Sequence, residues 1–481
     1  MGLSGILIAL AFLMFMAFRG WSILLLAPVA ALMAAALSAE PLLANWTQIF
    51  MPSAAGFIAQ FFPLFLLGAL FGKLMDDSGS VRAIARLMTR RLGPRRAILA
   101  VVLAGALVTY GGVSLFVAFF VIAPMGLALF RAGEVPRRLL PAALALGTST
   151  FTMSALPGTP AIQNAIPMPF FGTDPFAAPG LGIIASVVMF TIGMGWLTHA
   201  HRRAHDGDEG FEGCIRRDPV QQGKLRGLAS TASDFDPAEI DRGSRSGDTP
   251  PVWVALVPLG VVLAANLILS QFLLPRMDTA WLAAPRWGGV QLSDVAGVWS
   301  VAVALALAIV VLTLLNRRRL TGLRLTVEAG ANASVLPVMS VASLVGFGAV
   351  IATLPAFDLV RDWVLGTPGG PLVSLAVATN ILAALTGSAS GGMSIALESL
   401  GPTYLQIARD AGIDPGLMHR VAVMSSGTLD TLPHNGAVVT MLAVSGCNHR
   451  KSYLDIVMVA IVSALAALVV VIALGSVFGS F

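Results

Sequence analysis

Apolar runs of about 20 residues recur from one end of this chain to the other, and that recurrence leaves few folds open. They fall roughly at 3–17, 21–38, 54–75, 138–168, 176–199, 252–272, 294–316, 331–355, 416–445 and 452–478. A helix of that length matches the hydrocarbon thickness of a bilayer. Of the 481 residues, 56% are hydrophobic and 11% charged, more apolar surface than a water-soluble domain can bury. The alternating short strands of an outer-membrane barrel are missing from the sequence. The fold class expected is therefore an all-α polytopic membrane protein.

In a soluble chain a net charge of +5 could point to nucleic acid. Here the Lys and Arg residues sit in short connections between apolar runs, which is the positive-inside pattern, so membrane lipid is the expected surroundings and no nucleic-acid partner is expected. Cys214 and Cys447 make neither a metal-ligand spacing nor a disulfide framework, and no metal or cofactor is expected. No basic region precedes the first apolar run, and Arg19 interrupts what would be a signal core, so a cleaved signal peptide is not expected.

Two further apolar stretches, 97–131 and 370–400, are interrupted near their middles by small polar residues. The connection 201–249, rich in Gly, Asp, Arg and Ser, reads as a flexible linker. On either side of it the chain repeats. Ser114 in Tyr110-Gly-Gly-Val-Ser114 answers Ser390 in Thr386-Gly-Ser-Ala-Ser390, and 390 − 114 = 276. Pro157 in Ser154-Ala-Leu-Pro-Gly158 answers Pro433 in Asp430-Thr-Leu-Pro-His434, again 276 apart. The run 54–75 maps onto 331–355, and 176–199 onto 452–478, at nearly the same offset. Four features at one spacing indicate duplication, with residues 1–200 as one repeat, 201–249 as linker and 250–481 as the other.

Topology follows from charge. Arg82, Arg86, Arg90, Arg91, Arg95 and Arg96 put 82–96 in the cytoplasm, and Arg131, Arg137 and Arg138 put the far end of 97–131 there too. A stretch with both ends on one side enters and returns, so 97–131 reads as a re-entrant hairpin with Gly111, Gly112 and Ser114 at its tip. Two short spanning helices would need more apolar residues than it holds. Counting onward leaves five spans in each repeat, an odd number, so the repeats are inverted. The second hairpin, 370–400, then enters from outside, every basic cluster lies inside, and both termini are periplasmic.

Unpaired backbone in hydrocarbon costs several kcal/mol per group, so a broken helix survives only beside a cavity or inside protein. The tips 111–114 and 387–392 and the broken spans 138–168 and 416–445, interrupted at Pro157, Pro160 and Pro433, are four such places. Half-helix N-termini and hairpin tips aim N–H groups and positive dipole ends at one point, which makes a site for an anion. Gly111, Gly112, Ser114, Thr152, Ser154, Gly158, Thr159, Asn164, Gly387, Ser388, Ser390, Thr428 and Asn435 are the candidate binding residues. Helix packing by small residues is the competing role for any one of them. Asp430 and His434, ionisable groups in a span, are candidates for carrying a proton, with backbone capping as the alternative. Glu398 is read as solvated or interfacial.

At these motifs the sequence resembles the gluconate permease (GntP) family and, more broadly, the ion-transporter superfamily. The stretches that carry the resemblance are GGVSLFVAFFVIAPMGLALFR, TMSALPGTPAIQNAIP, TGSASGGMSIALESLGPTYL and LDTLPHNGAVVTMLAVSG. The resemblance implies a proton-coupled importer of a small organic carboxylate. It also implies a homodimer in the inner membrane, with a scaffold and a moving, elevator-type domain that holds the hairpins. Sodium-coupled relatives bind their cation at Ser-Asn-Thr tips; the tips here lack Asn, which favours H+ over Na+. A sodium symporter of the same fold, an intramembrane enzyme using Asp430 and His434, and a channel are the alternatives. No nucleophile motif accompanies the acid and base, and a static pore has no need of two opposed hairpins.

Overall fold

The computed structural model describes residues 2–19, 21–207, 209–211, 236, 242–433 and 435–481. Among them every regular element is helical. The chain begins with α1 (Gly2–Phe18) and α2 (Ile23–Leu37), followed by α3 (Leu42–Asp77). The run expected at 54–75 is thus part of a 36-residue helix, because a π-wound stretch, Asn45–Phe50, carries the helix on through polar residues. In α4 (Ser80–Leu92), Val81, Ile84 and Ala85 are buried, while Arg86, Arg90 and Arg91 lie on the more exposed face, as suits a water–lipid boundary. It bends by 103° into the following segment, Pro94–Tyr110.

Both interrupted stretches fold back on themselves. In the first, α5 (Ala97–Tyr110) and α6 (Leu115–Ala132) pack together around the turn 111–114. α6 is by itself long and apolar enough to cross a membrane, so the expectation that the stretch is too short for a span does not hold for that arm. Pro124 sits inside α6 without breaking it. The second hairpin is formed by α16 (Pro371–Thr386) and α17 (Ala389–Asp410), its outgoing arm running well past the expected end at 400. Gly112 (φ 97°) and Gly387 (φ 63°) turn the two tips through left-handed backbone that a Cβ disfavours. The arms of the second hairpin touch so closely that a Cβ on Gly392 would stand 2.3 Å from the Ala383 backbone.

The first broken span is α7 (Leu140–Thr148), the single turn α8 (Phe151–Ser154), a non-helical passage through Pro157 and Pro160, then α9 (Ile162–Ala165) and α10 (Pro167–Phe171). α11 (Pro179–Asp206) follows it. After the linker come α12 (Val252–Arg276), α13 (Leu292–Leu315), α14 (Leu323–Thr353) and the short α15 (Phe357–Leu365). The second broken span is α18 (Pro415–Ser426), a 3₁₀ turn at Leu429–Thr431, and α19 (Gly436–Val444); α20 (His449–Phe478) closes the chain.

Among the described residues, seven helices are long and apolar enough to cross a membrane, or eight if the bent pair Ser80–Leu92 and Pro94–Tyr110 counts as one span. Leu3–Ala17, Ile23–Leu37 and Pro371–Thr386 are apolar but shorter. The chain is a polytopic, all-helical membrane protein.

The two long stretches of chain interlock. α3 lies against α14, α2 also packs on α14, and α3 also packs on α13. Beside this layer, α5 packs on α7, α16 on α18, α6 on α19 and α10 on α17. A Cβ on Gly147 of α7 would stand 2.4 Å from the Val102 carbonyl of α5, so these two helices touch backbone to backbone. The linker is shorter than the composition of 201–249 implies, since 201–206 continue α11 and 242–249 are fastened down. Buried Asp77 accepts from Lys73 Nζ (2.9 Å), Thr326 Oγ1 (2.7 Å) and the Ser244 amide (2.9 Å). Asp76 pairs with Arg245 at 3.1 Å, and Ser246 N donates to the Asp77 carbonyl at 2.8 Å.

Candidate functional site

Where the tips, the breaks and α3 meet there is a cavity of about 220 Å³. α3 lines it with Leu64, Phe65, Gly68 and Ala69, and α14 with Ala333, Ser334 and Pro337. The first hairpin contributes Gly112, Ser114, Leu115 and Phe116; the second contributes Thr386, Gly387, Ala389 and Ser390. From the broken spans come Thr152 and Pro160–Gln163 on one side, and Asp430, Asn435, Gly436 and Ala437 on the other.

The first residues of α6, α17 and α19 are therefore all on the cavity wall. The opening amides of a helix have no partner within the helix, and they carry the positive end of its dipole. Three such ends bring positive dipole ends to one cavity, which suits a bound anion, although Ser388 and Asn435 already cap amides of α17 and α19. No cationic side chain is among the described lining residues, and Asp430 is the one ionisable group. A carboxylate close to an anion repels it, so the two occupy one small site readily only when a proton neutralises one of them.

The candidate residues divide by where they face. Gly112, Ser114, Thr152, Gly387, Ser390, Asp430 and Asn435 line the cavity. Gly111 packs on Leu259, where a Cβ would meet the side chain at 2.3 Å. Ser154 turns its hydroxyl back to the Thr150 carbonyl (3.1 Å). Gly158 donates its amide to Pro175 O at 2.8 Å. Thr159 is fully buried, its hydroxyl accepting from Ala161 N at 3.3 Å. Asn164 donates to the Thr159 and Pro175 carbonyls at 3.2 and 3.0 Å. Ser388 caps α17 by accepting from Gly391 N (3.1 Å), and Thr428 is buried against Asn380. His434 lies outside the described residues.

Asn435 joins two of these elements. Its Oδ1 caps α19 by accepting from Ala437 N (2.6 Å) and Val438 N (3.3 Å), while Nδ2 donates to the Gly387 carbonyl at 2.7 Å. One amide thus holds the second break against the second hairpin tip.

Arg420 and His419 are buried polar residues beside the site that reading the sequence missed. Both are fully buried on α18, and both reach into the first broken span. Arg420 donates to the Ala177 carbonyl through Nη2 (2.7 Å) and Nε (3.2 Å), and to the Ser154 carbonyl through Nη1 at 3.4 Å. His419 meets Thr173 Oγ1 at 2.6 Å and Asn164 Oδ1 at 3.3 Å. Tyr110 donates to the Pro157 carbonyl (2.8 Å), and Asn266 to the Gly158 carbonyl (3.1 Å). The freed carbonyls of this break are taken up by side chains from three other helices. The polar wall also includes Thr109, Thr148, Gln163 and Ser334, beyond the residues expected. Gln163 was within reach of the sequence, adjacent to the candidate Asn164.

No protein-family model matches the chain. It is similar to the uncharacterized transporter YxjC of Bacillus subtilis (strain 168), 41% identical over 482 residues, with 98% of each chain covered. A segment of 104 residues, 21% of this chain and 23% of the relative, is 34% identical to the high-affinity gluconate transporter of Escherichia coli (strain K12). Among solved structures it is similar to Neisseria gonorrhoeae MtrF, reported as illuminating a class of antimetabolite efflux pumps. The TM-score is 0.56 at 16% identity, covering 90% of this chain and 84% of that one, a likeness of fold alone. Similar to YxjC along almost its entire length, the chain belongs to the YxjC family of membrane transporters.

Proposed function

We propose that this transporter imports a small organic hydroxycarboxylate together with a proton, by alternating access of an elevator type. The observation that carries the reading is the cavity where three helix N-termini meet a single described ionisable lining group, Asp430. The helix dipoles and the hydroxyls of Ser114, Thr152 and Ser390 hold the substrate carboxylate, Asn435 fixes the second tip beside it, and Asp430, with His434, takes the proton that lets both anionic groups share the site. Proton uptake then accompanies substrate binding. The local likeness to a gluconate transporter supports a hydroxycarboxylate as the class.

The architecture in this proposal is two inverted repeats, each of five spans and one hairpin. Element bounds support it. Adding 276 to 97–110 gives 373–386, beside Pro371–Thr386; adding it to 115–132 gives 391–408, within Ala389–Asp410. Adding it to 140–148 gives 416–424, within Pro415–Ser426. The α3–α13 and α2–α14 contacts are counterparts under the same operation. In the charge-based topology, with both termini periplasmic in the bacterial inner membrane, Ala17 and Trp21 on the cavity wall lie towards the cytoplasm, so the cavity faces inward. A homodimer supplies the fixed scaffold, and α3 and α14 form the wall past which the hairpins move.

The test is uptake into proteoliposomes, with a hydroxycarboxylate panel first narrowed by thermal shift, since binders of the native state stabilise it by mass action. Saturable uptake driven by an inward proton gradient and abolished by a protonophore is expected. Uptake that needs sodium at fixed pH and ignores the protonophore would replace the proton with sodium, and unsaturable flux would indicate a channel.

A further inference from the structure

A second cavity, of about 360 Å³, lies along the same helices as the first. α3 lines it with Gly56, Phe57, Gln60 and Phe61, one to three turns before the Leu64–Ala69 segment that lines the central cavity. α17 lines it with Ser394 and Glu398, while Ser390 of the same helix lines the central cavity. Residues 390, 394 and 398 are four apart and share a face, so one polar stripe of about 12 Å runs from one cavity to the other. Beside the stripe the rings of Phe57, Phe61 and Phe65 close the direct way. Phe57 stands 4.7 Å from Phe61 and 6.3 Å from Phe65, centroid to centroid.

Two features of the stripe have no structural explanation. The Ser394 hydroxyl is 2% exposed and has no hydrogen-bond partner among the described residues, an arrangement that costs free energy unless the group serves a ligand or a water. Glu398 is half-buried in the apolar part of the molecule with no ion-pair partner among the described residues. Glu398 is also the one ionisable group among the described residues lining its cavity; α3, α10 and α14 present Ser53, Gln60 and apolar side chains to it.

We propose that Glu398 is the proton-loading group of this transporter, and that Ser394 and Ser390 carry the proton from it to the central cavity. The inference rests on the proton-coupled reading above. Glu398 takes a proton from the aqueous phase on its side and gives it, through a bridging water, to the Ser394 oxygen. Ser394 releases its own hydrogen onward, and Ser390 repeats the exchange. The proton ends on the central carboxylate, and Glu398, left ionised, reloads. Steps of about 6 Å between residues four apart are each spanned by one water. In the charge-based topology α3, α10 and α14 line the second cavity with their outer halves and α17 belongs to the hairpin that enters from outside, so loading takes place from outside while the Phe rings keep substrate from passing.

The test uses the full-length protein in right-side-out membrane vesicles, with dicyclohexylcarbodiimide as the probe, which adds covalently to protonated carboxyls in apolar surroundings. Glu398 should carry the adduct by peptide mass spectrometry, at a rate that falls as external pH rises and ignores internal pH. An unmodified Glu398, or labelling that follows the internal pH, would overturn the assignment. In proteoliposomes, E398Q should lower substrate-driven proton influx by about tenfold or more and S394A by less, with counterflow of preloaded substrate kept within about twofold. If wild type moves protons and E398Q moves them equally well, this route is wrong while proton coupling stands. If wild type moves none under gradients of any carboxylate in the panel, proton coupling fails, and this inference with it.

Discussion

The two broken stretches, 276 residues apart at Pro157 and Pro433, are held in different ways. The first, through Pro157 and Pro160, is braced from outside itself: Arg420, Tyr110 and Asn266 each donate to carbonyls in or beside it. The second, through Pro433, carries Asp430 on the cavity wall and is tied by Asn435 to a hairpin tip. Its remaining carbonyls meet groups of α20, Tyr453 OH to Thr431 O (3.3 Å) and His449 Nε2 to Pro433 O (2.8 Å). A break in a membrane helix can thus serve as a fixed joint or as a chemical site. Both reach the cavity; what separates the two is that the second brings an ionisable group, Asp430, to its wall.

Substitutions that separate joint from site put this contrast at risk. The largest effect should come from Arg420→Met, which leaves the Ala177 and Ser154 carbonyls buried without their donor. At about 1–3 kcal/mol for each such group, the detergent-solubilised protein should melt far lower and elute heterogeneously on size exclusion. A normal melt with lost transport would move Arg420 from joint to site. Asp430→Asn should do the reverse: an unchanged melt, retained exchange of preloaded substrate, and loss of accumulation against a gradient. Accumulation by the Asn variant with an unaltered pH profile would place the proton elsewhere.

Smaller effects should follow from the two ties. Asn435→Ala removes a helix cap, worth about 1 kcal/mol, and frees the Gly387 carbonyl. Substrate affinity should fall more than stability does, which a melt with and without substrate would measure. Tyr110→Phe deletes one hydrogen bond of the braced break, so about 1 kcal/mol of stability should go while uptake stays within about twofold. A larger loss of uptake would mean that the first break moves during transport.

Much of this was legible beforehand because it is written locally. Apolar length reveals helices, small polar residues between apolar runs reveal hairpin tips, and Pro beside Ser, Thr and Asn reveals breaks. Ser114, Ser390 and Asn435 reach the cavity because each begins a helix there. Thr159 and Asn164 do not, since the backbone between Pro157 and Ile162 decides where they face, and no periodicity predicts a non-helical path. Arg420 escaped notice for another reason. Close to the start of an apolar run it reads as a membrane-edge charge, and its acceptors, Ser154 in the other broken span and Ala177 in the loop after it, are far away in the chain. The half-burial of Glu398 was not legible because it depends on α3, α10 and α14 closing around it.

Asp77 has a consequence for how the protein is assembled. Its carboxylate holds Lys73 of its own helix, Thr326 of α14 and the backbone of Ser244, so the segment that leads into the second stretch is fastened where α3 meets α14. Cutting the chain anywhere between Phe211 and Arg242 leaves that fastening intact. The covalent connection then matters for synthesis, delivering the two stretches to one membrane in equal number, more than for holding them together. Expressed as separate polypeptides from one message, the two pieces should insert independently and find each other in the bilayer.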